Sequence, residues 1–352
     1  MILAGDIGGT KINLALYDWD KERVDPIRED TVWTADYESL EEVLTEFLEE
    51  PPSAEPEFED VLAEPEDSSS QPSTASSTPP IVACFGVPGP VQNNACRTTN
   101  IPWTIDGDKL AEALNIPQVR LLNDLEATAH GLQLLRPDEI EDLNPNAPSP
   151  PPDGTRALLA AGSGLGESIL LWTGKNYHIC PSEGGHADFA PNNDLEIELL
   201  RYLRTSYLHV SYERVVSGPG LHLIYQFLRD FKKNEPTWFA EKLPTGDPAA
   251  LIAEAGLAGK PDICKEALQL FVSIYGAEAG NMALKTLARG GVYIGGGIAP
   301  KILPALQNGT FMKAFLAKGR YKRLLSHIPV RIILNPHTAV LGAASVAAGT
   351  AS

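Results

Sequence analysis

A glycine-rich hairpin that occurs twice constrains this chain more than any other feature. Near the start, Gly5-Asp6-Ile7-Gly8-Gly9-Thr10-Lys11 stands between apolar, β-branched runs at residues 2–5 and 12–17. Much later, Gly162-Ser163-Gly164-Leu165-Gly166-Glu167 stands between runs at 157–161 and 168–172. Glycine lets the main chain come close to a bound anion, and successive N–H groups in such a turn form an anion-binding concavity. Taken singly, each is equally a tight hairpin with no ligand. The second partly matches G-x-G-x-x-G, but that fingerprint needs a helix after the glycines, and here a strand-like run follows. Two such hairpins, each opening its own strand–helix series, predict a duplicated nucleotide-clamping α/β fold rather than one dinucleotide-binding sheet.

The remaining pattern alternates in the same way. Strands are predicted at residues 81–87, 119–122, 292–294 and 330–334, and helices at 39–48, 108–115, 125–135, 195–207, 220–231, 262–288 and 339–348. Asp106 stands where an N-cap belongs, ahead of the helix around Leu110. Two segments break the alternation. Residues 49–80 hold seven prolines, nine acidic residues, no basic one and a Ser/Thr-rich end. Such a composition cannot bury enough surface to offset the entropy of ordering, so a disordered insertion is predicted. Residues 137–155 hold six prolines and read as loop.

At 352 residues the chain has room for two domains that each bury a core. No uninterrupted apolar run approaches the ~18 residues that cross a bilayer. The opening MILAGDIGGT has no basic stretch ahead of an apolar one, so no secretory signal or transit peptide is expected. Cys84, Cys96, Cys180 and Cys264 are widely spaced and show no zinc-type pattern, which favours reduced thiols in a cytoplasmic protein. The net charge of −18 argues against a nucleic-acid groove, although the insertion carries half of it and leaves −9 for the rest.

Several short motifs carry chemistry. Asp6 can hold a hydrated Mg²⁺ on nucleotide phosphates, or be a surface carboxylate beside a turn. Gly295-Gly296-Gly297 closes a buried strand and is either a plain turn or a surface for adenosine. Asn123-Asp124 falls between a strand and a helix, where a carboxylate faces the crevice of an α/β unit. Asp124 there is either an N-cap or a general base for a hydroxyl attacking a γ-phosphate. Glu183-Gly184-Gly185-His186 lies in a polar loop, and Glu213-Arg214 precedes Ser217-Gly218-Pro219-Gly220. Carboxylates, Asn and His match the hydrogen-bonding directions of a ring of hydroxyls. Glu213 can instead form a surface ion pair with Arg214 or another cation, a contact worth little.

In combination, GDIGGTK, LLNDLEA, AAGSGLGES, PSEGGHADFAP, YERVVSGPGL and GGVYIGGGIAP resemble, in order, motifs of the bacterial-type glucokinase family of the actin/hexokinase superfamily. The likeness runs from Met1 to Gly342, except the 49–80 insertion. It implies two ribonuclease-H-like α/β lobes with an active-site cleft between them: 1–134 completed by a C-terminal helix within 338–352, and 135–337. It implies ATP-dependent phosphorylation of glucose on its 6-hydroxyl, with Mg²⁺, in a cytoplasmic homodimer. By matching position, Asp124 is the base. Asn100, Asn123, Asp124, Glu183, His186 and Glu213 hold the sugar. Asp6, Gly8, Gly9, Thr10, Ser163, Gly164, Gly166, Gly296 and Gly297 hold ATP, and Asp6 bears on Mg²⁺ through water. A kinase for another hexose or an N-acetylated amino sugar is the alternative. A sugar-responsive repressor of the related branch would need an N-terminal helix-turn-helix ahead of the first strand. That branch also carries a cysteine-rich zinc motif after the sugar-binding His, and none follows His186.

Overall fold

The computed structural model describes residues 1–18, 25–49, 80–98 and 101–349. Most of the predicted insertion, 50–79, lies outside the described residues, and so does Asn100. The chain forms two compact units, Met1–Leu134 with His337–Ser352, and Leu135–Pro336.

The first unit is built on β1 (Ile2–Ile7), β2 (Lys11–Tyr17), β3 (Arg28–Trp33), β4 (Val82–Val87) and β7 (Val119–Asn123), with a small ribbon of β5 (Ala95–Arg97) and β6 (Thr104–Asp106). The sheet order is β3-β2-β1-β4-β7; the first two pairings are antiparallel and the last two parallel. Period-2 alternation sends Leu3 and Ile7 to one face, where α1 (Leu40–Glu49) and α2 (Gly107–Leu114) cover them. Ile2 and Ala4 point to the other face, toward α3 (Asp124–Gly131) and the C-terminal helix, Thr338–Ala347. Those two helices cross on glycine. A Cβ at Gly342 would lie 1.8 Å from the Ala127 carbonyl oxygen, and one at Gly131 2.0 Å from that of Thr338. Asp106 caps α2, accepting from Asp108 N and Lys109 N.

The second unit repeats the plan. Its strands are β8 (Ile140–Asp142), β9 (Arg156–Ala161), β10 (Leu165–Trp172), β11 (Tyr177–Ser182), β12 (Gly291–Gly295) and β13 (Val330–Ile333). They run in the order β11-β10-β9-β12-β13-β8. Again two antiparallel pairings lead into two parallel ones, with β8 added antiparallel at the far edge. Around it lie α4 (Asp194–Leu203), α5 (Gly218–Lys232), α6 (Thr237–Lys242), α7 (Pro248–Leu257), α8 (Asp262–Thr286), α9 (Leu303–Gln307), α10 (Thr310–Leu316) and α11 (Lys322–Leu325); the C-terminal helix is α12. Helix α8 is buried around most of its circumference, including Phe271, Val272, Ile274 and Tyr275, which marks it as the core of this unit. The shared strand order gives both units the ribonuclease-H-like fold of the actin/hexokinase type.

Some sequence expectations change. Residues 137–155 are not all loop, since β8 pairs its backbone with β13. Gly166 lies inside β10, opposite Ala160, not in a turn. The cap of α3 is Asn123, whose Oδ1 accepts from Leu125 N at 3.1 Å, so Asp124 is the first helical residue rather than the cap. The helices predicted to reach 135 and 207 stop at Gly131 and Leu203, before short tight turns. All four cysteines are free. Among the described residues no helix is long and apolar enough to cross a membrane.

Candidate active site

In the first unit the C-terminal ends of β1, β4 and β7 lie side by side. Asp6 is in register with Gly86 on one neighbour and Asn13 on the other, and Val87 pairs with Asn123. Alternation puts the Asp6 carboxyl on the α3 face, the same side as Asp124 at the start of that helix. Gly86 leaves the two room to approach. A Cβ there would meet Ala127 Cβ at 3.1 Å, Asp124 Cα at 3.4 Å and Asp6 Oδ1 at 3.6 Å. Burial and then the charge of Asp124 push the Asp6 carboxyl up to about 7; a hydrogen bond from Asn13 partly opposes them. The Asn13 Oδ1 accepts from Thr31 Oγ1 at 2.9 Å, which turns its Nδ2 to the carboxyl.

Asp124 is also held. Its Oδ1 accepts from Leu125 N at 2.8 Å, which fixes the carboxylate at the helix N-terminus. The Asn123 Nδ2 donates to the Gly89 carbonyl at 3.2 Å. The hairpin at Gly8–Thr10 is clamped by buried Thr34, whose Oγ1 donates to Gly8 O at 2.8 Å and whose N–H donates to Thr10 O at 3.0 Å. Gly9 and Thr10 are exposed at the tip.

In the second unit, the residues singled out from three separated motifs converge. Gly184–His186 form a short 3₁₀ turn seated on the second hairpin, where a Cβ at Gly185 would lie 2.0 Å from Leu165 O. His186 stands between two carboxylates, with Nε2 3.9 Å from Glu183 Oε2 and Nδ1 3.8 Å from Glu213 Oε1. These distances are too long for direct hydrogen bonds but bring three polar groups to one ligand-sized patch. Glu213 does not pair with Arg214, which lies over the Tyr207 ring at 4.5 Å. Instead its Oε2 accepts from Leu165 N at 3.0 Å.

The second hairpin presents exposed Ser163 at its tip. Gly162 O accepts from Gly218 N at 2.8 Å, tying the loop to the start of α5, where the Ser217 side chain caps Gly220 N. Gly296 reaches φ +82°, and a Cβ there would lie 2.3 Å from Ala161 O, at the root of the same hairpin. The Gly295–Gly297 cluster and the Ser163–Gly166 hairpin therefore border one another. Among the described residues no group of three or more His, Cys, Asp and Glu is placed to hold a metal ion.

Two residues at these sites escape motif reading. Gly86 is signalled only by a glycine inside the buried strand VACFGV. Glu167 is fully buried in β10, neither of its oxygens has a hydrogen-bond partner, and a Cβ at Gly184 would lie 2.1 Å from its Oε2. Burial and then the charge of Glu278 push it up to about 7, against the pull of Lys285.

The glucokinase family model matches residues 3–350. The chain belongs to the glucokinase family. A curated glucokinase of Nostoc punctiforme is 40% identical over 364 aligned positions, covering 99% of each chain. Among solved structures, the glucokinase of an Antarctic psychrotroph superposes with a TM-score of 0.78 at 27% identity, covering 99% of this chain and 98% of that one. A ROK-family glucokinase from Streptomyces griseus, solved with glucose and AMPPNP, shares the fold with a TM-score of 0.63 at 19% identity, covering 99% of each.

Proposed function

We propose that this protein transfers the γ-phosphoryl group of ATP to the 6-hydroxyl of D-glucose. The observation that carries the reading is the grouping of Glu183 and His186, on the turn that rests against a glycine hairpin, with Glu213 from a separate segment. Acceptors and a ring N–H placed around one patch suit vicinal sugar hydroxyls, which each donate and accept. Asn123 keeps a second N–H on its amide for a sugar oxygen, and Asn100 completes the set by its motif position.

Asp124 takes the proton of the attacking hydroxyl. Its hydrogen bond from Leu125 N holds one oxygen in place, which fixes the carboxylate for proton transfer. The hairpins at Gly8–Thr10 and Ser163–Gly166 offer backbone N–H groups to the phosphates, and Gly296 and Gly297 border the adenosine. The chain lacks a Walker A lysine motif, so phosphate stabilisation rests on backbone donors. Asp6 beside Asp124 sets two carboxyls together in a hard-oxygen environment, where burial and then the charge of Asp124 push Asp6 up to about 7. That fits Asp6 holding a water-bound Mg²⁺. When bound, the ion supplies charge neutralisation at the phosphates. The free, widely spaced cysteines support a cytoplasmic location, and the family resemblance supports a homodimer.

Coupled ATP turnover over a panel of glucose, mannose, fructose and N-acetylglucosamine, with and without Mg²⁺, tests the assignment. Glucose should give the highest kcat/KM and Mg²⁺ should be required. Turnover confined to another hexose would replace the substrate while leaving the chemistry.

A further inference from the structure

We propose that Glu213 couples sugar occupancy to nucleotide affinity within the second unit, so that each ligand strengthens binding of the other. The inference rests on the sugar and phosphate roles assigned above. It begins from the division of one carboxylate between two loops. Oε1 faces Nδ1 of His186 at 3.8 Å, and Oε2 accepts the N–H of Leu165, the residue between Gly164 and Gly166, at 3.0 Å. The backbone on either side is tied to the same parts. Glu213 N donates to Gly185 O at 2.8 Å, and Gly185 is packed against Leu165 O. Ser217 Oγ donates to Glu213 O at 2.7 Å, and the adjoining Gly218 N donates to Gly162 O.

A sugar hydroxyl on Oε1 fixes the torsion of this carboxylate and thereby the acceptor under Leu165 N–H. A phosphate gripped by the hairpin fixes Leu165 and thereby aligns Oε1 for the sugar. Whichever ligand arrives first bears the ordering cost for both groups, and the second binds to a side chain and loop already in place. Linkage makes the effect reciprocal. Glu183 faces His186 from the other side and has no such hydrogen bond into the hairpin, so it serves as the control.

Calorimetric glucose titrations, with and without saturating Mg²⁺ and a non-hydrolysable ATP analogue, measure the coupling as a ratio of Kd values. The wild type should bind glucose at least about fivefold tighter when the analogue is present, the lower end of ordinary coupling. Gly164→Ala is the sharper variant. Its added Cβ would lie 2.6 Å from Glu213 Oε2, and φ at this position lies outside the left-handed region, so the main strain falls on the carboxylate. Glu213→Asp, one methylene shorter, cannot span both loops. In each, the ratio should fall to within about twofold of unity, whereas Glu183→Gln should weaken glucose binding and keep the wild-type ratio. A wild-type ratio of one, or an unchanged ratio in both Gly164→Ala and Glu213→Asp, overturns the coupling and leaves the kinase assignment standing. Absence of any glucose binding by the wild type overturns the assignment and the coupling with it.

Discussion

Glu167 offers a quantitative test of how the second unit is held beneath the Gly184–His186 turn. The side chain is fully buried, its two oxygens find no hydrogen-bond partner, and Glu278 on α8 faces it, with Lys285 and Tyr275 on the same helix also acting on or near the pair. A carboxyl so placed keeps its proton to about pH 7, against an ordinary value of 4.5. Between those values the folded chain binds a proton that the unfolded chain has lost, so stability falls as pH rises. The group contributes fully below its unfolded pKa, and its contribution is lost as the pH passes through the folded one. At about 1.36 kcal/mol per pH unit, the wild type should lose about 2.5 kcal/mol between pH 5 and pH 8 through this group alone. Glu167→Gln keeps the shape and removes the titration. Its amide is also buried without partners, a penalty that does not depend on pH. Urea unfolding of both proteins at pH 5, 6, 7 and 8, followed by fluorescence, isolates the effect as a difference, because Asp6 titrates equally in each. The stability advantage of the variant should grow with pH by about 2.5 kcal/mol, or about 5–10 °C in Tm. Parallel profiles would refute the reasoning and place a compensating donor beside Glu167.

Two further outcomes follow from the first unit. Because Asp6 holds its proton to about pH 7, its proposed place beside Mg²⁺ requires the ionised form, so the KM for Mg²⁺ should be higher at pH 6 than at pH 8, and steady-state kinetics at the two pH values would show it. A pH-independent KM would remove Asp6 from the metal's surroundings. Gly342→Ala puts a methyl group into the contact with Ala127 O, with a backbone atom that cannot swing away. It should cost on the order of 3 kcal/mol in urea unfolding, the upper range for overpacking, while the same change at exposed, extended Gly246, where a Cβ would meet only the Leu251 side chain, its Cδ1 at an ordinary 3.7 Å, should cost little.

The parts of this fold visible in the sequence are those whose burial is written in apolar pattern. Strands β1, β4, β9 and β12, inside their sheets, stand out as apolar runs, and so does β7, an edge strand that buries Val119, Leu121 and Leu122. Exposed edge strands do not. REDTVW of β3 is mostly exposed and stays extended through hydrogen bonds to β2, which leave no trace in hydropathy. β11 carries Pro181, tolerated because that strand lies at an edge, and the proline masks it in the sequence. Helix α7 is missing from the sequence prediction, because its start signal, the N-cap Asp247 with Pro248 at the first helical position, is weaker than the periodicity of its longer neighbours. At the site, His186 and the carboxylates beside it were legible because glycines surround them in polar loops. Glu167 was not, since a glutamate in an alternating strand reads as solvent-facing, and only packing against α8 and Gly184 shows it to be buried. Nor was the hydrogen bond from Leu165 to Glu213, because residues that far apart in sequence carry no local sign of contact.

Asp124→Asn, assayed in parallel for turnover and for glucose binding, bears most directly on the proposed chemistry. The amide preserves the acceptor for Leu125 N and the cap of α3 by Asn123, so folding and sugar binding should be nearly intact. Without a base for the 6-hydroxyl, kcat should fall by at least ~10²-fold, while the glucose Kd from calorimetry shifts by no more than a few-fold. A folded Asp124→Asn protein that turns over at close to the wild-type rate would contradict the account.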